Sequence, residues 1–379
     1  MILRRAAYLP TLLPKQSDRT IEIASGFRPS RGVMHIRTRF NLVFLSLALS
    51  SAALLAQPAA PSTPRASRGM VLDVVVTPKS GPPVSDLQQK DFTILDNKTP
   101  LPITGFTAVS GAQAPIEVVL VIDTVNASTE NLAIERAEVD KFFKANGGHL
   151  AYPTSLAILE QAGIAMGENP TRDGNLLSAA LAQTNLGSGV QLKDTGASND
   201  ADRANRSLVA AQRLVAREAA IPGRKIVLWV SPGWPLVSSP SYNYDDKQQQ
   251  QLFRRAVVMT TQMRGANVTF YTINPAGTDE GVHQFDYEVY LKGASKPIQA
   301  VPADTSLQVL SVQSGGLVLT GNNDIADELQ QCLADLASYY ELSFDPPADD
   351  HPNDLHTLQV KVSQAGDTAR ARTIYYSQP

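Results

Sequence analysis

Asp123 ends a strongly apolar run, Ile116–Asp123 (IEVVLVID), and is followed by Thr124, Val125, Asn126, Ala127 and Ser128. An acid at the carboxyl end of a buried strand stands where open α/β sheets bind their ligands. With Asn126 and Ser128 it offers one carboxylate and two neutral oxygens. Mg²⁺ takes such oxygen ligands, with one or two carboxylates and waters completing the octahedron, and Mn²⁺ favours the same donors. Asp123, Asn126 and Ser128 are therefore the candidate metal ligands. A single carboxylate makes a weak site, so no resident cofactor is expected, and feeble Mg²⁺ or Mn²⁺ binding is the most this set could support. Ser128 has a second use, because ahead of Thr129 and Glu130 it can cap a helix.

Other chemistry is sparse. The chain holds no G-x-S-x-G elbow, no H-E-x-x-H, no S-x-x-K and no Gly-rich phosphate loop. Its five histidines are scattered, and His351 and His356 lie in an acidic, turn-rich stretch that reads as a solvated loop. No catalytic and no cofactor-binding residue is assigned. The single cysteine, Cys332, shares a helical stripe with Leu329, Leu333 and Leu336 and is expected to be a buried thiol.

The elements that must position Asp123 are written in the hydrophobic period. Residues 70–112 alternate as strands: MVLDVVVT, FTILD and ITGFTAV, parted by turn formers. Residues 113–338 switch between apolar β-branched runs (IEVVLVID, TSLAILEQ, GIAMGEN, KIVLWVS, NVTFYTI, GLVLT) and helical periods (Glu130–Ala145, Asp173–Thr184, Ala201–Ala220, Asp246–Arg264, Asp324–Ala337). Strand and helix by turns predict a mostly parallel sheet with helices on both faces. Residues 339–379 return to period two in YYELSFD, HTLQVKV and ARTIYYS. Three strands cannot bury a core alone, whereas six can form a sandwich. One β unit built from both chain ends, with the α/β unit inserted, is the expected architecture.

The first 56 residues read as an address. Met34 begins a basic stretch with Arg37 and Arg39, followed by the apolar run Leu42–Ala56, and residues 57–69 form a Pro/Ala/Ser-rich linker. That order is a signal peptide, too short for a stable membrane span after cleavage, with Met34 as the expected start. Export to the periplasm, cell envelope or medium follows. Residues 1–56 take away eight of the 33 basic and two of the 36 acidic side chains, which leaves 25 against 34 and a formal charge of −9. Such a surface repels a phosphate backbone, so nucleic acid is excluded as a partner.

The segments VVLVIDTVNAS, RKIVLWVSPGW and NVTFYTINPAG resemble a von Willebrand factor type A domain. The flanks DLQQKDFTILDNKTPLPITGF and SGGLVLTGNNDIADELQQCLADLASYYELSFDPP, with the terminal HTLQVKV and ARTIYY, resemble the exported VWFA-related proteins abundant in Acidobacteria, over about residues 70–377. The resemblance implies a Rossmann-like core that binds protein partners at a metal-ion-dependent adhesion site, and it implies no enzymatic activity. The family's Asp-x-Ser-x-Ser pattern keeps only Asp123, because Val125 and Ala127 occupy the serine positions. Ser231-Pro232-Gly233 stands where the family carries Asp-Gly, and Thr195 is available as the loop threonine. The expected function is a secreted or envelope protein-binding module with a degenerate metal site and no catalysis. A metal-dependent adhesin and an exported hydrolase are the alternatives. The partner is a protein, expected to meet Asp123, Ser231, Asn274 and an exposed Trp234. The loop-forming stretch Ser238–Gln251 is a further candidate.

Overall fold

The computed structural model describes residues 69–378 apart from 112–113, 168, 188, 191–195, 236–243, 276–285, 321–323 and 349–350. The signal segment Met34–Ala56, the extension before it, nearly all of the linker, His283, Thr195 and Ser238–Asn243 lie outside the described residues.

Eight consecutive buried residues make β5 (Ile116–Asp123) the central strand of the molecule. Its Val, Leu and Ile side chains alternate between two cores. Val118, Leu120 and Ile122 face α1 (Thr129–Lys144), α2 (Gly174–Gln183) and α6 (Ile325–Ala334), where Leu132, Leu177, Leu329 and Cys332 pack. Val119 and Val121 face α3 (Ala197–Glu218), α4 (Asp246–Gly265) and α5 (Leu307–Ser314), where Leu208, Met259 and Leu310 pack. Each such side chain stabilises the fold by about 1.5–3 kcal/mol relative to exposure.

Around β5 the sheet runs β11 (Val318–Leu319), β10 (Val268–Ile273), β9 (Arg224–Val230), β5, β6 (His149–Glu160), β7 (Gly163–Met166), with β8 (Thr171–Asp173) also on β6. The pairs from β11 to β6 are parallel, and β7 and β8 are antiparallel to β6. This is the mostly parallel α/β arrangement with helices on both faces that the alternation predicts.

The two chain ends form two further sheets, each of mixed origin. One runs β14 (Thr368–Arg370), β1 (Met70–Thr77), β12 (Ser338–Phe344), β4 (Ile103–Ser110); the other runs β15 (Ile374–Tyr376), β13 (Leu355–Val362), β2 (Phe92–Asp96), β3 (Thr99–Leu101). Leu72, Val74, Ile94, Tyr340, Leu342 and Leu358 meet in a core of their own. Eight strands stand where six are expected. The extra β3 is made by a two-residue turn in which Asn97 and Lys98 both take positive φ, 48° and 70°, which matches the strand twist and folds TPL back on β2. β14 (Thr368–Arg370) arises ahead of ARTIYYS, at the end of the connection QAGDTA, and pairs in the first sheet, whereas ARTIYYS supplies β15 to the second.

His356 is not in a solvated loop. It is buried in β13, with Nδ1 2.8 Å from Asp96 Oδ2, its ring stacked on Tyr375 at 4.5 Å, and the Tyr375 hydroxyl donating to Asp96 Oδ2 at 2.7 Å. The alternation of His356, Leu358 and Val360 turns all three inward. Buried polar groups find partners, and this trio finds its own across 260 residues of sequence.

The sandwich is fastened to the α/β layer by buried ionic contacts. Arg224, at the start of β9, lies 3.2 Å from Asp73 of β1 and stacks on the ring of Tyr339 of β12. Arg370 of β14 reaches Asp335 after α6 and the carbonyl of Gly315 after α5. The chain leaves the sandwich at Gly111, whose N–H donates to Ala337 O beside the point where it returns. A Cβ on Gly111 would stand 1.7 Å from the Leu336 carbonyl oxygen. Gly111→Ala is therefore expected to lower stability by at least the ~1–3 kcal/mol of ordinary overpacking, seen as an earlier urea midpoint.

At the opposite edge from Asp123, Glu218 ends α3 fully buried, and neither of its oxygens has a hydrogen-bond partner among the described residues. Burial, and then the charge of Glu117, pushes its carboxyl up to about 7. A carboxyl whose folded pKa is raised holds its proton when the unfolded chain has lost it, so stability falls as pH rises from the ordinary value near 4.5 to about 7 and is level above that. Glu218→Gln should remove this fall. Its melting temperature should exceed that of the parent at pH 8 and match it near pH 4.

Candidate functional site

The crossover from β5 leads to β6 on one side, while β9 lies on the other. β5 is therefore the point where the strand order reverses, and its carboxyl end opens toward the rim where ligands bind in such sheets. Asp123 is the last residue of that strand and is completely buried.

Its carboxylate is surrounded by donors from two elements. Oδ1 accepts from the backbone N–H of Val125 and of Asn126, both at 3.1 Å, and from Asn126 Nδ2 at 3.0 Å. Oδ2 accepts from Asn126 Nδ2 at 2.8 Å, Trp229 Nε1 at 3.2 Å and Ser231 Oγ at 2.9 Å. Ser231 is itself fixed, because its Oγ accepts from the N–H of Gly233 at 3.1 Å. Asn126 extends the network to α3, donating to Ser207 Oγ at 2.8 Å. Burial raises the Asp123 pKa, and these hydrogen bonds oppose the rise. Glu135 on α1 is buried as well, and its oxygens have no hydrogen-bond partner among the described residues. Burial, and then the charge of Asp123, push its carboxyl well above the ordinary range.

The candidate ligands do not come together as a ligand set. Asn126 is beside Asp123, but it presents its amide nitrogen, a donor that no cation accepts. Ser128 is the N-cap of α1, and its Oγ accepts from the N–H of Asn131 at 3.2 Å. Val125 and Ala127 are buried with no side-chain oxygen to offer. A carboxylate has about four acceptor sites, and here five donors occupy them. The residues as arranged do not fit a divalent cation. Among the described residues no group of three or more His, Cys, Asp or Glu side chains is placed to hold a metal ion.

Of the expected partner contacts, Asp123 and Ser231 are joined by their hydrogen bond, but both are buried. Asn274 follows β10, two strands from β5, and is half-buried, its N–H donating to Leu319 O. Trp234 is a correction: it is 4% exposed and packs edge-on against Trp229 at 5.4 Å, so it belongs to the core and not to an exposed anchor. Gly233, at φ 104°, turns the chain back over the sheet and carries Trp234 with it. Trp229 and Ser207 were missed as parts of the Asp123 network. Only the position of Trp229, two residues before Ser231 on an adjacent strand, hinted at its place.

No family model matches the sequence, and a search of curated proteins finds no relative. Among solved structures the chain is similar to the VWA domain of SpRpn10 at 13% identity and TM-score 0.28, covering 57% of this chain and 95% of that one. It is also similar to manganese-loaded TRAP of Plasmodium vivax at 11% and 0.31, covering 70% and 96%. The match to human Sec24c, a COPII-coat protein, has 11% identity and TM-score 0.31, and covers 70% of this chain but 44% of that protein. With overlaps this loose, the behaviour of Asp123 follows from the geometry of this chain alone.

Proposed function

We propose that the chain is an exported, non-catalytic protein-binding module whose rim of strand-end loops, after β5, β9 and β10, meets a protein partner, as its resemblance to von Willebrand factor type A domains implies. In this reading residues 113–338 are the binding unit, and residues 70–112 and 339–379 form the sandwich that holds it. The observation that carries the reading is the reversal of strand order at β5, the position at whose carboxyl edge such sheets bind their ligands. Among the described residues five donors bond the Asp123 carboxylate and occupy its acceptor sites, which leaves it ill-suited as base, nucleophile or strong cation ligand. Among the described residues no helix is long and apolar enough to cross a membrane.

The test is capture from envelope extracts by the mature chain, compared with an Asn274→Lys variant at the rim and a Val71→Lys variant on β1 of the sandwich, at the opposite edge. Val71 is 53% exposed, so the second change costs little. Loss of about tenfold or more in affinity at Asn274 alone, which is ~1.4 kcal/mol, supports the rim. Equal capture by both variants, or turnover on a panel of esters, peptides and glycosides, overturns the reading. N-terminal sequencing of the secreted chain checks export, and a start after Ala56 is the expected result.

A further inference from the structure

A carboxylate fully removed from water needs compensating charge or hydrogen bonds, because burying it bare costs many kcal/mol. At Asp123, among the described residues, hydrogen bonds supply that compensation. The Asn126 amide nitrogen lies 3.0 Å and 2.8 Å from the two oxygens, bridging them from one side. The Trp229 indole and the Ser231 hydroxyl donate to Oδ2, and the N–H groups of Val125 and Asn126 donate to Oδ1.

We infer that this strand end is a metal-excluding clasp in which the Asn126 side-chain amide does the work of a cation, tying the β5–α1 loop to β5 and α3 at once. The inference deepens the rim-binding reading and rests on it only for its consequence: the partner binds without divalent metal.

Three features make Asn126 the lock. Among the described residues it is the only side chain that hydrogen-bonds both Asp123 oxygens. The same nitrogen reaches Ser207 Oγ, so one residue spans the loop, the strand and α3. Its own Oδ1 is buried and has no hydrogen-bond partner among the described residues. Rotating the amide to offer that oxygen to a cation would bring it against the Asp123 carboxylate and forfeit three hydrogen bonds. The backbone gives no relief, since Val125 and Ala127 are both fully buried and Val190 N–H holds the Ala127 carbonyl at 2.8 Å.

The experiment uses the mature chain, with free Mn²⁺ followed by its electron paramagnetic resonance signal, and with melting temperature and tryptophan emission read in millimolar Mn²⁺ and in chelator. The parent should leave the Mn²⁺ signal undiminished and melt within about 1 °C in the two solutions, since a ligand that does not bind the native state cannot stabilise it. Asn126→Ala should melt several degrees lower in both, with shifted emission, because Trp229 loses the orientation of its acceptor. Ser207→Ala should melt lower by a smaller margin. One-to-one loss of the Mn²⁺ signal in the parent that Asp123→Asn abolishes would overturn the clasp, and so would an Asn126→Ala protein with unchanged melting and emission. Loss of Mn²⁺ signal that persists in Asp123→Asn comes from another part of the chain and leaves the clasp standing. Failure to capture a partner sinks the rim reading alone. Capture that requires Mn²⁺ sinks the clasp alone.

Discussion

Asp123→Ala is expected to lower the unfolding free energy by about 3–5 kcal/mol, the cost of removing one side of a buried charged network. The loss comes from what remains. The Trp229 indole, the Ser231 hydroxyl, the Asn126 amide and two backbone N–H groups would all be left in a dry cavity without their acceptor. Each unsatisfied donor costs about 1–3 kcal/mol before relaxation. Asp123→Asn keeps the shape but turns an NH₂ group toward donors, so most of the penalty should remain. Urea unfolding followed by tryptophan fluorescence measures both, since Trp229 and Trp234 lie in the affected core. A change of less than 1 kcal/mol, taken as about a fivefold shift in the folding equilibrium, would mean that the donors find other partners. A ligand aspartate in an open metal site would behave oppositely: its removal relieves crowded negative charge and leaves apo stability level or higher.

The second large effect is expected in the sandwich. Asp96 of β2 holds His356 of β13 and Tyr375 of β15, all three buried. Asp96→Ala should cost about 2–4 kcal/mol, because it takes a shared carboxylate acceptor from a buried imidazole and a buried phenol. Tyr375→Phe should cost less, about 1 kcal/mol, since the ring still stacks on His356 at 4.5 Å. The pair should show a coupling of more than 0.5 kcal/mol in a double-mutant cycle, as residues in one network do. Additive losses would show that Asp96 and Tyr375 act separately. Hydrogen exchange gives a second reading: β2 and β13 are joined over five residue pairs, from Asp96↔Leu358 to Phe92↔Val362, and their amides should lose protection together.

The two effects report different parts of the molecule that were unequally legible in the sequence. The run IEVVLVID announces a strand buried on both faces, because its Val118–Ile122 stretch is apolar on both sides of the pleat, and the structure buries all eight residues. Ser128 was legible as a cap for the same local reason, since capping joins residues three apart. The union of the chain ends was reached by a different route. Neither strand set could bury a core by itself, and β1 does pair with β12, joining Met70 to Phe344.

His356 shows where a local reading gave way. Its neighbours Asp349, Asp350 and Asp354 pointed to a solvated turn, yet the two-residue alternation with Leu358 and Val360 already placed it on the inward face. Composition over a window outweighed period there, and period was the better guide. Trp234 differs, because nothing near it records that a loop with Gly233 and Pro235 folds back onto Trp229.

What the sequence alone determined, then, is what depends on neighbours along the chain: the alternation of strand and helix, the cap on α1, and the acid that ends β5. What only the tertiary structure decided is how that acid is compensated. Trp229 stands 106 residues from Asp123 in the chain, and Ser207 stands 81 from Asn126. An aspartate followed by asparagine and serine is written identically whether its oxygens face a cation or an indole, an amide and a hydroxyl. The choice is made by which strands lie side by side, and that is set by the packing of the whole sheet.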